Sequence, residues 1–155
     1  MKPLAKKASP AAIAVLRQAT ALWPKRKKAS DGLLPSLAHV KQNPNSDHNT
    51  GLAVDLTHNP AAGVNCADLF VRLQEDRRVS YLIFNGHIWS RERGLREYTG
   101  PNKHEKHLHI SIKPEFAKDT SPWFGWMEKP KTVNKVKARL TRKAKKKEAP
   151  SPKED

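Results

Sequence analysis

The stretch Ser46-Asp47-His48-Asn49-Thr50-Gly51-Leu52-Ala53-Val54-Asp55 decides how the rest of the chain is read. Gly51 permits a sharp turn after His48, because it has no Cβ to bar positive φ. From Leu52 to Thr57 the residues then alternate. Leu52, Val54 and Leu56 share one face of a strand, and Ala53, Asp55 and Thr57 share the other. Asp55 therefore points away from the apolar face, with small Ala53 leaving room beside it. Far downstream, His107-Leu108-His109 puts two imidazoles on one face of a second strand, opposite Leu108, Ile110 and Ile112. Two imidazoles and one carboxylate make a three-ligand set for a borderline-soft cation. Such a set leaves a fourth position for water, the pattern of catalytic zinc sites.

The chain around these strands reads as alternating helices and strands. Ser9 and Pro10 open an amphipathic helix over residues 10–22, with Ile13, Leu16, Ala19 and the Leu22-Trp23 pair near helical spacing. Lys25 to Lys28 is a charge run, read as a solvated face, and Ser30-Asp31-Gly32 is a turn or cap signal. A short helix is expected near Pro35 to Val40, where His39 reads as structural or exposed. Residues 41–47 are a polar loop. His58 follows the first metal strand, as a group behind the ligands or as a surface residue. Asn65 caps a second helix, with Ala67, Phe70, Val71 and Gln74 as its core stripe. Val79 to Phe84, Asn85-Gly86 and His87 to Ser90 spell a hairpin around a type I′ turn. Residues 91–103 read as a charged loop. His104 lies before the second metal strand and off the face of the histidine pair. Trp123, Phe124, Trp126 and Met127 form an aromatic cluster, read as packing across the sheet.

The spacing of the first stretch resembles that of the zinc peptidases that include D-alanyl-D-alanine carboxypeptidases and phage endolysins cutting L-alanyl-D-glutamate bonds. The hedgehog signalling domain shares their fold. Their pattern is Ser-x-His-x-x-Gly-x-Ala-x-Asp, followed far downstream by Glu-x-x-His or His-x-His. Ser46, His48, Gly51, Ala53 and Asp55 match every fixed position of the first part, and His107-Leu108-His109 matches the second. The resemblance spans about residues 20–127, and Tyr98-Thr99-Gly100-Pro101-Asn102 through Ile112 is similar to a phage and prophage branch. It implies an α+β fold, a small antiparallel sheet with flanking helices, hedgehog/DD-peptidase-like. It also implies Zn2+ held by His48, Asp55 and His109, with His107 as the catalytic base. Glu105 is the second candidate for that base; relatives of the Glu-x-x-His form place a carboxylate where Lys106 stands here. Relatives carry an upstream Arg that holds the substrate carbonyl. Arg26 is its only candidate, and no motif fixes it. The implied activity is hydrolysis of peptide bonds in peptidoglycan stem peptides, as endopeptidase or carboxypeptidase. Two other readings stay open. One is a metal-dependent nuclease, since Asp47-His48 with Asn59-Pro60, Gly63 and Asn65 is loosely similar to His-Asn-His nucleases. The other is a non-catalytic metal-binding module with a basic tail.

A length of 155 residues leaves room for one domain and a tail. The expected division is a peptidase domain over 1–127, with a loose basic start over 1–8, and a basic disordered tail over 128–155. Lys and Arg number 30 against 15 acidic residues, a net charge of +15. That excess asks for an anionic partner. The expected partners are peptidoglycan and, through the tail, an anionic cell-wall or outer-membrane surface. No specific nucleic acid is expected, and the chain is read as a monomer. Cys66 is the only cysteine, which excludes an intrachain disulfide and a Cys cluster; it reads as a small buried hydrophobe. The N-terminal lysines precede an apolar run that Arg17 and Gln18 cut short, so it is not read as a signal peptide. The expected course is synthesis in the cytoplasm and action on the cell wall after release.

Overall fold

The computed structural model describes residues 3–127. The basic tail over 128–155 lies outside the described residues. Five strands form one antiparallel sheet in the order β1-β5-β2-β3-β4. They are β1 Ala53–Thr57, β2 Val79–Phe84, β3 His87–Ser90, β4 Gly94–Glu97 and β5 His107–Ile112. The α+β class expected from the sequence is therefore observed. In the β1–β5 pair, Asp55 stands opposite His109 and Thr57 opposite His107. In the β5–β2 pair, Ile83 stands opposite His109 and Tyr81 opposite Ser111. Directly opposed residues point to the same side of a sheet. One face thus carries Asp55, His107, His109, Ser111, Tyr81 and Ile83. The other carries Val54, Leu56, Leu82, Leu108 and Ile110, all fully buried. Burying each such side chain is worth about 1.5–3 kcal/mol, so the apolar face fixes the register and with it the polar face.

Helix α1 (Pro10–Leu22) starts where Ser9 Oγ accepts from Ala12 N at 3.2 Å, with proline in the first turn. Its buried face is Ala11, Ala12, Ala14, Val15 and Ala19, while Ile13 is 42% exposed. The expected face centred on Ile13 and Leu16 is thus rotated. Alanines let the helix backbone come close to the sheet, which larger side chains would prevent. Helix α2 (Leu37–Gln42) is capped by Ser36. Helix α3 (Cys66–Arg72) is capped by Asn65, whose Oδ1 accepts from the amides of Ala67 and Asp68. Its buried residues are Cys66, Leu69 and Phe70, continued by Leu73. Ala67 and Val71 face solvent, so the expected stripe is corrected. The set 66, 69, 70, 73 is the true i, i+3, i+4, i+7 series, and it buries more apolar area.

The stretch 91–103, expected as a loop, contains β4. Gly94-Leu95-Arg96-Glu97 has little strand propensity of its own. It pairs because β3 offers an open edge of backbone donors and acceptors: Ser90 meets Gly94 and Ile88 meets Arg96. At the other end of the chain, the amides of Ala5 and Ser9 donate to the carbonyls of Asn49 and Gly51 at 2.8 and 2.9 Å. Gly51 has φ +75°, and a Cβ there would lie 2.8 Å from the Lys7 carbonyl oxygen.

The chain divides into two units, Met1–Trp123 and Phe124–Asp155. Within the first, Trp123 is buried. Its Nε1 donates to the Ala11 carbonyl at 3.0 Å, and the Arg78 guanidinium sits 3.6 Å from its ring centre. Within the second, the rings of Phe124 and Trp126 meet edge-on at 6.0 Å. Among the described residues, no helix is long and apolar enough to cross a membrane.

Candidate metal centre

Ser46 Oγ accepts from the His48 amide at 3.2 Å and opens a 3-10 turn over Asp47–Thr50. Gly51 closes that turn in the left-handed conformation. The turn swings the His48 ring over β1, where Asp55 and His109 already face each other across the strand pair. His48 Nε2 lies 3.2 Å and His109 Nδ1 3.3 Å from Asp55 Oδ1. The Gly32 backbone pairs with that of Asp55 on the outer edge of β1, at 2.8 and 3.1 Å. A Cβ on Gly32 would stand 3.1 Å from Asp55 Oδ2, so a bare backbone is what fits beside the carboxylate.

The ring orientations are set from behind. His48 Nδ1–H donates to the Leu33 carbonyl at 2.7 Å, which leaves Nε2 facing Asp55. His109 Nε2 bonds Ser111 Oγ at 2.8 Å, which leaves Nδ1 facing Asp55. Three electron-pair donors converging in this way need a positive charge among them, a proton or a metal ion. Burial opposes ionisation of Asp55, but hydrogen bonds and charge from His109 and His48 outweigh it and hold the carboxyl well below its usual range. Burial likewise disfavours charge on His48, and the Asp55 hydrogen bond and charge outweigh it, raising the pKa. His48, Asp55 and His109 thus form a largely buried group that could hold a metal ion. Supporting bonds such as those to Leu33 and Ser111 are what a metal-binding imidazole uses to keep its free nitrogen aimed.

His107 stands beside this group, its Nε2 3.6 Å from Asp55 Oδ1. Burial lowers its pKa, so the ring is neutral at neutral pH. Tyr81 stacks on His109 with ring centres 5.4 Å apart. Burial pushes its phenol up to about 12, so it remains protonated. The group opens into a cavity of about 590 Å³. Its wall includes Gln42, Asn43, Asn45 and Asn102.

Other residues fall differently from the sequence reading. His104 is on the site, not off it. Its ring meets His107 at 4.9 Å and His109 at 5.7 Å, edge-on to both. The cause is a backbone φ of +57°, which strand alternation could not foresee. Burial keeps its ring pKa down to about 4. His39 also lines the cavity, its Nε2 3.3 Å from Ser46 Oγ and its ring edge-on to His48 at 5.8 Å. His58 serves elsewhere: its Nδ1 accepts from the Cys66 amide, and its ring packs on Phe84. Glu105 is exposed and lines a separate cavity beside β3 and β4. Arg26 is buried in a two-pronged pair with Asp31, at 3.0 and 2.8 Å, and does not line the metal cavity. No Lys or Arg among the described residues lines that cavity.

Sheet and site together define an α+β protein with a His-Asp-His group able to take a metal ion. The family described as VldE, C-terminal domain, matches residues 5–109, and the chain belongs to that family. The matched span runs from the segment hydrogen-bonded to Asn49 through His109, so it contains His48, Asp55, His107 and His109. No curated protein and no solved structure matches the chain.

Proposed function

We propose that the chain is a zinc-dependent peptidase that hydrolyses peptide bonds in peptidoglycan stem peptides, in the setting of phage or prophage lysis. The observation that carries the reading is the convergence of His48 Nε2, Asp55 Oδ1 and His109 Nδ1 beside His107 at one cavity. The resemblance to zinc peptidases supplies the metal and the substrate class. Zinc in such a site polarises a carbonyl and brings the pKa of water toward neutrality. His107 takes up the proton that attacking water gives up and hands it to the leaving amine. The amide-bearing wall offers both donors and acceptors, which suits a peptide backbone. With Arg26 committed to Asp31, substrate binding falls to these neutral groups. A net charge of +15 supports an anionic wall surface as the partner, with an attraction that salt weakens.

The cavity disfavours the nuclease reading, because a phosphodiester would call for cationic side chains in its lining. His107 beside the metal group favours catalysis over a merely metal-binding module. The test is digestion of purified peptidoglycan by the zinc-loaded protein, with products read by mass spectrometry and plasmid DNA as a parallel substrate. New peptide termini and intact DNA are expected. Nicked DNA with unchanged peptidoglycan would overturn the proposal.

A further inference from the structure

We propose that His104 is a substrate-binding residue of this cavity, accepting through Nε2 a hydrogen bond from an N–H of the bound molecule. That N–H is a peptide amide in the reading above, on which the kinetic half of the test rests. His104 and Asn85 are the two non-glycine residues with positive φ among those described. Asn85 sits in the hairpin turn, where such a φ is required. His104 precedes a strand, where it is not. Left-handed backbone at a non-glycine residue carries a cost and persists only where its surroundings enforce it. Here three hydrogen bonds enforce it. The His104 amide donates to Asn102 Oδ1 at 3.0 Å, its Nδ1–H donates to the Asn102 carbonyl at 2.8 Å, and its own carbonyl accepts from the Asn85 amide at 2.9 Å.

The result is a ring turned into the cavity against His107 and His109. A carbonyl can only accept, so the Asn102 oxygen fixes the proton on Nδ1 and leaves Nε2 bare. His48 spends its outer nitrogen on Leu33, His109 on Ser111, and His39 Nε2 meets Ser46. His104 Nε2 has no hydrogen-bond partner among the described residues. It is an acceptor on a residue that lines the cavity, beside His107. The competing role is a brace that only keeps the His107 and His109 rings upright.

His104→Gly and His104→Asn both tolerate the left-handed backbone and remove the ring. The measurements are metal content, kcat and KM on a soluble stem peptide, and ring-nitrogen NMR of the wild-type protein. Nitrogen spectra with Nδ1 protonated and Nε2 bare are expected. Both variants should keep wild-type metal content, with KM raised about three- to ten-fold and kcat within about two-fold, the loss of one neutral hydrogen bond. Variants that lose metal make His104 a brace and overturn the assignment. So does an unchanged KM, or a proton found on Nε2 at neutral pH. If the wild-type protein cleaves no stem peptide, the peptidase reading falls by itself. The nitrogen spectrum then decides His104: bare Nε2 sustains the acceptor role, and protonated Nε2 ends it.

Discussion

His48 Nδ1 donates to the Leu33 carbonyl at 2.7 Å, and this bond between residues fifteen positions apart decides which nitrogen of the ring meets Asp55. Ser111 does the same for His109 from two residues along its own strand. The His-Asp-His group is thus aimed by one long-range backbone contact and one local hydroxyl.

Ser111→Ala should weaken zinc binding about 10–100-fold, the usual effect of losing such a supporting bond. His48→Ala, Asp55→Ala and His109→Ala should each abolish it. Calorimetric titration with Zn2+ checks all four. A ligand variant that binds zinc as tightly as wild type does not belong to the group.

His107→Ala should keep its metal and lose rate. A positioned base contributes about 10²–10⁴-fold, and kcat should fall by that factor with little change in KM. Steady-state hydrolysis beside metal analysis reads both. Loss of zinc in this variant would instead move His107 into the ligand set.

Gly51→Ala should destabilise the fold by about 1–3 kcal/mol, because alanine disfavours positive φ and its Cβ meets backbone. The obstacle is the Lys7 carbonyl oxygen, at 2.8 Å from the added atom. Urea unfolding measures the change. A negligible loss would mean that the segment around Lys7 peels from the turn at little cost.

Arg78→Ala should cost about 3–5 kcal/mol, since it strips one partner from a largely buried pair. The Arg78 side chain is 5% exposed and that of Asp76 17%. Arg78 also donates to the carbonyls of Ser121 and Pro122 at 2.8 and 3.0 Å. Thermal unfolding is the readout. A shift small enough for a surface residue would show that these contacts are dispensable.

Cys66 should resist thiol reagents in the folded protein and react on unfolding. Burial pushes its thiol up from its ordinary value to about 12. Its folded pKa is raised, so this contribution to stability is full below the unfolded value and is lost as pH rises from about 9 toward 12. Alkylation at pH 8 with and without denaturant tests it. Rapid labelling of the native protein would show an accessible thiolate.

The sequence by itself determined what is local. Alternation over 52–57 and 107–112 assigned each side chain to a face, because the period of a strand is a property of consecutive residues. The Asn85-Gly86 turn defined the hairpin, and Ser9 with Pro10 defined where α1 begins, for the same reason. That put Asp55 on the polar face of one strand and His107 with His109 on one face of another; the ligand and base roles of His48, Asp55, His107 and His109 were implied by the resemblance to the zinc peptidases. Only the tertiary structure decided which of those faces meet. Asp55 and His109 are opposed because β1 pairs with β5, although fifty-four positions separate them. β4 exists because β3 has an open edge, and α3 turns Cys66 rather than Ala67 inward because of the sheet beneath it. Arg26 is drawn to Asp31, away from the cavity. His104 enters the site through a left-handed backbone held by Asn102 and Asn85, contacts that no periodicity encodes. Pattern fixes the direction of a side chain along its own element; closing distant elements on one another fixes its neighbours.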